Sequence, residues 1–412
     1  MDRRQFLLGT AAGAGLSALA GTLAAAPAAL AAPVGGGAGG AGESADALGE
    51  LLALLREIDA RYLGPEWGVT SPEDVAEGRS YVMHVLMHAL DAWHGADPAR
   101  PRWTRFTQTS KKLLGDNPDA LYYSAPVDPA RRYRIRGNLA GAVYTSFTVE
   151  AGTAEGRGSK GAVAALNDSQ FEVRADGSYE LVASADPQPG NWLRLAPEAG
   201  SLTTRHYFEW QRSACADPAL QIPLSIEPLD DPGPSAPPDD ASAAAGLRRV
   251  ANFVRACTLE MPLRKPEEQP PWVSREPNRF PKLRREAGNS AIGFAAVDNV
   301  YCSSRFELAP DEALVIRGRY PRCRFANVVL WNRFTQSFDY TTRRISLNRR
   351  QTRLEPDGSF RMVIAPRDPG LPNWLDSEGR RSGTIFWRFQ LPEEEIQPLK
   401  SEVVPISKLE PA

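Results

Sequence analysis

Two stretches of this chain repeat one another, and that duplication limits the fold more than any other feature. Residues 176–208, DGSYELVASADPQPGNWLRLAPEAGSLTTRHYF, return as 357–389, DGSFRMVIAPRDPGLPNWLDSEGRRSGTIFWRF. Each opens on an Asp-Gly-Ser-aromatic turn into an apolar strand. A Pro/Gly-rich loop then delivers Asn-Trp-Leu, and a last strand carries an arginine beside aromatics. The strand ends YRIRG and LVIRG hold Arg136-Gly137 and Arg317-Gly318 at the same offset, 181 residues, as Asp176 and Asp357. Asn117, in GDNPDALYYS, has a looser counterpart at Asn299 in VDNVYCSS. One offset held across separated motifs signals duplication, and a period this long implies two tandem domains rather than a solenoid.

Ahead of the repeats, Met1-Asp2-Arg3-Arg4-Gln5-Phe6-Leu7-Leu8 reads as a twin-arginine export signature. An Ala/Gly-rich run follows to Ala32, with Ala29-Leu30-Ala31 as a small-residue cleavage site. Residues 1–32 are therefore expected to be a signal peptide and 33–47 a flexible leader, with the mature protein in the periplasm, cell envelope or medium. The twin-arginine translocase would be a partner during export. Charge is nearly balanced, 48 Lys+Arg against 50 Asp+Glu, which points to neither nucleic acid nor an anionic membrane surface. Export permits disulfides. Cys215, Cys257, Cys302 and Cys323 allow Cys215–Cys257 across the linker and Cys302–Cys323 between neighbouring strands, and free buried thiols are an equal alternative.

Residues 48–63 show helical apolar spacing. Ser71-Pro72-Glu73-Asp74 supplies an N-cap, a first-turn proline and acids for a second helix to Gly95, its face drawn by Val75, Val82, Leu86, Leu90 and Trp93. Short strand-like runs with Asp-Gly, Pro and Gly turns occupy 117–225. The Pro/Asp/Ser-rich stretch 229–246 reads as a linker, 247–259 as another helix, and strands resume from Val300. The domains are thus 48–228 and 247–412, each a helix followed by a sheet region. The segment 266–285 is basic and Pro-rich and reads as wrapped loop.

The combination GDNPDALYYS, YRIRG, DGSYELVAS, GNWL and TTRHYF resembles the bacterial family called domain of unknown function 1214. The resemblance covers most of 71–210, and 247–389 more loosely, since the second copy lacks the full Asn-Pro-Asp segment. It implies a jelly-roll-type β-sandwich with flanking helices, often beside a companion domain of unknown function 1254. It implies no activity, because the family has none settled.

Four groups of residues are candidates for chemistry. His84 and His88, at i and i+4 with Asp91 at i+7, have the spacing of paired metal ligands, but lack the Glu of the metalloprotease motif and a second His cluster. No metal and no cofactor is therefore expected. Asn191-Trp192 and Asn373-Trp374 would either fold their loops or present a sugar platform. Arg205 and Arg388, in apolar strands, require a carboxylate or backbone acceptors when buried: a clamp, with Asp119 as a partner, or a ligand site. Asp116, Asn117, Asp119, Tyr122 and Tyr123 form the densest polar-aromatic cluster, with Asp116 and Asp119 as the candidate general acid and base. There is no Gly-x-Ser-x-Gly elbow and no Walker loop, and GRGSKG at 156–161 is followed too closely by a strand to bind a dinucleotide.

The expected protein is exported and mainly β, with two tandem jelly-roll-like β-sandwich domains, each preceded by a helix. The favoured function is recognition, and in its stronger form processing, of an envelope or extracellular carbohydrate; whether it is an enzyme stays open. The alternatives are a structural or interaction protein of the envelope, and a binder of an apolar small molecule. Catalysis requires Asp116 or Asp119 beside Arg205 in one cleft; a structural role requires buried Asn-Trp loops and paired acids.

Overall fold

The computed structural model describes residues 42–261, 269–283 and 294–409, so the stretch 1–32 expected to be a signal peptide lies outside the described residues. Among the described residues three α-helices, α1 (Glu43–Glu57), α2 (Pro72–Ala89) and α3 (Asp240–Ala256), accompany the strands, of which β1 (Thr104–Arg105) is a short extra. The first repeat supplies β2 (Ala120–Pro126), β3 (Tyr133–Asn138), β4 (Tyr144–Ala151), β5 (Ala162–Asn167), β6 (Ser178–Ser184), β7 (Trp192–Arg194), β8 (Ala199–Tyr207) and β9 (Leu224–Pro228). The second supplies β10 (Asn299–Glu307), β11 (Glu312–Gly318), β12 (Phe325–Trp331), β13 (Ser346–Asn348), β14 (Phe360–Ala365), β15 (Trp374–Asp376), β16 (Ser382–Gln390) and β17 (Lys400–Pro405).

The sheets run β1-β2-β8-β4-β5 and β7-β6-β3-β9 in the first half, β10-β16-β12-β13 and β15-β14-β11-β17 in the second. With β1 set aside, the two halves have one topology. All ladders are antiparallel except the short β6–β7 and β14–β15 pairs. Alternation along the strands turns Tyr133, Ile135, Phe147, Leu181 and Leu202 into one sandwich core, and Leu314, Ile316, Val328, Met362 and Trp387 into the other. The chain is thus mainly β, with two tandem jelly-roll-like sandwiches.

The repeated motifs have local causes. Asp176 Oδ1 accepts from the Ser178 N–H (3.0 Å) and Oγ (2.7 Å), and Asp357 Oδ1 from the Ser359 N–H (2.9 Å) and Oγ (2.6 Å). These Asx turns deliver the following aromatic, Tyr179 or Phe360, into the core opposite the Arg-Gly pair. A Cβ on Gly137 would lie 2.4 Å from the Tyr179 hydroxyl, and one on Gly318 2.7 Å from the Phe360 ring and from Leu399. The glycine exists to seat the ring. Gly318→Ala is expected to destabilise by about 1–3 kcal/mol through overpacking; a urea midpoint equal to that of the wild type would show that the ring moves aside freely.

The helices depart from expectation in three ways. α3 begins at Asp240, inside the stretch read as linker, because Asp239 and Ser242 form a reciprocal capping box. Ser71 caps α2 as expected, accepting from the Asp74 N–H at 3.0 Å. The buried face of α2, however, is Gly78, Tyr81, Val82, Val85, His88 and Ala89, while Leu90 is exposed. Each of α1 and α2 also ends in a π turn (Ile58–Tyr62 and Leu90–His94), which rotates the face seen by later residues such as Trp93. Finally, α3, which the sequence places at the head of the second domain, packs on the helices of the first half: its Val250, Phe253 and Val254 share a core with Leu51 and Leu54 of α1 and with Tyr81 and Val85 of α2.

Candidate functional site

The Asn-Trp loops come out as duplicated fold devices. Asn191 Oδ1 accepts from the Glu172 N–H (2.8 Å), and its Nδ2 donates to the carbonyls of Glu172 (3.0 Å) and Glu180 (2.9 Å). Asn373 repeats this with the Arg353 N–H (2.8 Å) and the carbonyls of Arg353 (2.7 Å) and Arg361 (2.9 Å). The indole N–H of Trp192 donates to the Ser184 carbonyl at 3.2 Å, that of Trp374 to the Ala365 carbonyl at 3.0 Å. Each amide spends both of its N–H donors and an acceptor lone pair in stitching three backbone segments together, which leaves no donor to grip a sugar.

Asp116, Asn117 and Asp119 are buried where the two sandwiches meet. Asp119 Oδ2 accepts from Asn327 Nδ2 at 2.9 Å and Oδ1 from Asn348 Nδ2 at 3.1 Å, both from the second half. Asn117 Oδ1 accepts from Asn327 Nδ2 at 2.7 Å, and Asp116 from the Ser337 N–H at 2.7 Å and Oγ at 2.5 Å. Burial pushes the Asp119 carboxyl up to about 6, against the pull of the two amides. Burial also raises that of Asp116, with Lys112 and Ser337 opposing. Perturbed carboxyls often mark active sites, but these have less than a twentieth of their surface exposed and spend their oxygens on the other repeat. Tyr122 donates to the Tyr207 hydroxyl (3.2 Å), and the Tyr123 hydroxyl accepts from the Ile222 N–H (3.3 Å).

The contact at this seam is reciprocal. Ala120 and Asn299 occupy the same rung, opposite Tyr207 of β8 and Gln390 of β16. The structural counterpart of Asp119 is therefore Asp298, and Asn299 answers to Ala120 rather than to Asn117. Asp298 Oδ2 accepts from Tyr144 Oη (2.7 Å) and from Asn167 Nδ2 (2.9 Å), and Asn167 sits in β5 where Asn348 sits in β13. Each repeat thus offers an aspartate to the same asparagine of the other, the pattern of an isologous interface within one chain.

Arg205 and Arg388 obey the same exchange. Arg205 Nη2 donates to the Phe294 carbonyl at 2.9 Å, and Arg388 Nη2 to the Gly115 carbonyl at 2.7 Å. Phe294 and Gly115 stand four residues before Asp298 and Asp119, and both have positive φ, 60° and 79°. Arg205 is completed by Thr148 Oγ1 at 2.6 Å and Glu150 at 3.7 Å; Arg388 lies over the rings of Trp331 and Phe386. The arginines are clamps, as one reading of the sequence had it, but their partners are backbone carbonyls and Glu150. The pairing of Arg205 with Asp119 that the clamp reading offered does not form, since Asp119 takes Asn327 and Asn348 while Arg205 takes Thr148, Phe294 and Glu150. Catalysis required Asp116 or Asp119 in an open cleft beside Arg205, and both carboxylates are buried.

Among the described residues the His84/His88 pair forms no metal site and the cysteines form no disulfide. His84 Nδ1 accepts from the Lys112 N–H at 3.1 Å, His88 is buried against Phe106, and Asp91 pairs with Lys111 at 2.8 Å. Among the described residues no three His, Cys, Asp or Glu side chains are placed to share a metal ion. All four cysteines are free. Cys215 donates to the Ala120 carbonyl under β2, and Cys302 faces the second core on β10 opposite Trp387, so neither suggested pairing forms.

An open cavity of about 340 Å³ lies on the outer side of the second sandwich, on the loop that Asn373 ties down. Arg353, Leu354, Glu355, Arg361, Val363 and Leu371 line it. Apart from Asn373 itself, sequence reasoning missed these residues. Their signal was available only by laying the two repeats against each other and reading where they differ.

The family described as Protein of unknown function (DUF1214) matches residues 313–394, a span that contains the whole cavity lining. The match falls on the second copy, although the sequence resemblance was drawn mainly from the first. No curated protein matches the chain. Among solved structures, an uncharacterized protein from Burkholderia cenocepacia is 30% identical, covers 89% of this chain and 98% of its own length, and superposes with a TM-score of 0.75. A protein from Vibrio parahaemolyticus is 13% identical, covering 79% of this chain and 98% of its own, with a TM-score of 0.47. Identity and coverage at the level of the Burkholderia protein, together with the domain match, show that the chain belongs to the DUF1214 family.

Proposed function

We propose that this protein is a non-catalytic binding protein for a small organic molecule held in the cavity beside Asn373. The observation that carries this reading is a contrast: the candidate acids are sealed in the inter-repeat seam, while the cavity is open and mixes apolar with charged walls. Its volume falls within the range of small-molecule sites, and a mainly apolar wall with a few fixed polar groups is their usual make-up. Carbohydrate recognition rested on the Asn-Trp loops and on Asp116 and Asp119, whose polar atoms are engaged elsewhere. A melting-temperature screen of the purified protein against organic acids, apolar alcohols and oligosaccharides separates the readings. Organic ligands are expected to raise the melting temperature, since a ligand that binds only the folded state stabilises it. A response confined to oligosaccharides would overturn the proposal.

Export belongs to the same proposal and rests on Arg3-Arg4 and the Ala-rich run behind them. Changing both arginines to lysine is expected to retain the protein in the cytoplasm, as cell fractionation would report; unchanged export would remove the twin-arginine route.

A further inference from the structure

We infer that the cavity selects an organic carboxylate, a compact acid with a short apolar body, and that only the second repeat can do so. The inference rests on the binding reading above and gives it a ligand class. Its basis is a comparison that the chain contains within itself. The first repeat has the same backbone cradle, stitched by Asn191 as the second is by Asn373. At the positions equivalent to Glu172, Arg174 and Glu180, however, the second repeat carries Arg353, Glu355 and Arg361. Every charge is reversed, and the local sum passes from negative to positive.

The surroundings differ to match. In the first repeat Glu180 stands directly across the ladder from Arg136 and is paired with it at 2.9 Å and with Arg134 at 3.3 Å, so the outer face is neutralised from within. In the second, the residue across the ladder from Arg317 is Arg361 rather than a glutamate. The position equivalent to Arg134 is Val315, and Arg317 turns away to Glu402 at 2.5 Å. Arg353 is exposed and has no carboxylate within ion-pair distance among the described residues. A guanidinium at the rim meets a carboxylate in a fork of parallel hydrogen bonds. Val363 and Leu371, both buried, and Leu354 supply the apolar wall for the body of the acid.

The test is titration calorimetry of the full chain with hexanoate and benzoate, beside their neutral amides. The variants are Arg353→Glu, which installs the residue of the first repeat, and Glu172→Arg as a control in the first repeat. An acid is expected to bind one site per chain, with the amide and the Arg353→Glu protein each weaker by about tenfold or more, the worth of one charge-assisted pair. Glu172→Arg should bind as the wild type does. Arg353 is exposed, so equal melting temperatures will show that its variant is folded. Acid and amide binding alike, with no effect of Arg353→Glu, overturns the carboxylate assignment and leaves the cavity as a neutral site. If neither class binds and the other ligands of the melting screen also fail, the binding reading falls with it.

Discussion

Asp119→Ala is expected to cost the protein about 3–5 kcal/mol of stability, because it strips an acceptor from one N–H of each of two buried amides, Asn327 and Asn348. Those amides keep their other acceptors, Asn117 Oδ1 and the Trp210 carbonyl, so the loss is of one bond each rather than of the whole network. Asp298→Ala removes the equivalent contact on the other side of the seam, but that residue is only half-buried, and water can replace its oxygens. Its cost should be near 1 kcal/mol. The sign of the pH dependence makes the prediction sharper. The folded carboxyl of Asp119 titrates at about 6, above its ordinary 3.8, so the folded state binds the extra proton. Stability from this group is therefore greatest below pH 3.8 and falls as pH rises through 6, by about 3 kcal/mol in all. His206 acts in the opposite direction: burial holds its ring near 3, so acid favours the unfolded chain. That contribution is common to wild type and variant and cancels in their difference. Urea unfolding at pH 4.5 and at pH 7.5 should give a larger gap between Asp119→Ala and wild type at the lower pH. A gap below 1 kcal/mol at both would mean that the seam does not depend on this carboxylate.

The way these residues were misread shows what a sequence carries. The Asp-Gly-Ser turns, the Arg-Gly pairs and the Asn-Trp loops are governed by neighbours within one sandwich, so their spacing survives duplication and declares the architecture. Asp119, Arg205 and Arg388 answer to the other repeat, more than 80 residues away along the chain. A polar cluster of that kind looks the same in sequence whether it faces a substrate or a partner sheet. The register of Asp298 against Asp119 was hidden as well, because aligning the Asp-Asn dipeptides places Asn299 three positions away from its true partner. The cavity was legible in principle. Its signal lay in the positions where the repeats disagree, and motif reading attends to those where they agree.

The second large effect concerns independence. Two sandwiches of one topology suggest two units that fold alone, yet neither half is expected to be a folded monomer when separated in the exposed stretch between Gly233 and Asp239. The first half would lose α3, whose Val250, Phe253 and Val254 are fully buried against α1 and α2. Exposing three such side chains costs on the order of 5–9 kcal/mol, as much as the whole stability of many domains. The second half would lose residues 113–119, which cover its sheet. Trp331 would be left without the Asp116 carbonyl that its indole N–H meets at 2.9 Å, and Arg388 without that of Gly115. A buried arginine stripped of its acceptor is among the costliest vacancies a fold can carry. Co-expressed, the halves should copurify in equal amounts and melt together, because the seam needs proximity rather than a covalent link. Either half giving a monomeric, cooperatively melting protein by itself would refute this. The duplication would then be two domains laid side by side, and the exchange of Asp119 and Asp298 between them a surface contact with little weight in folding.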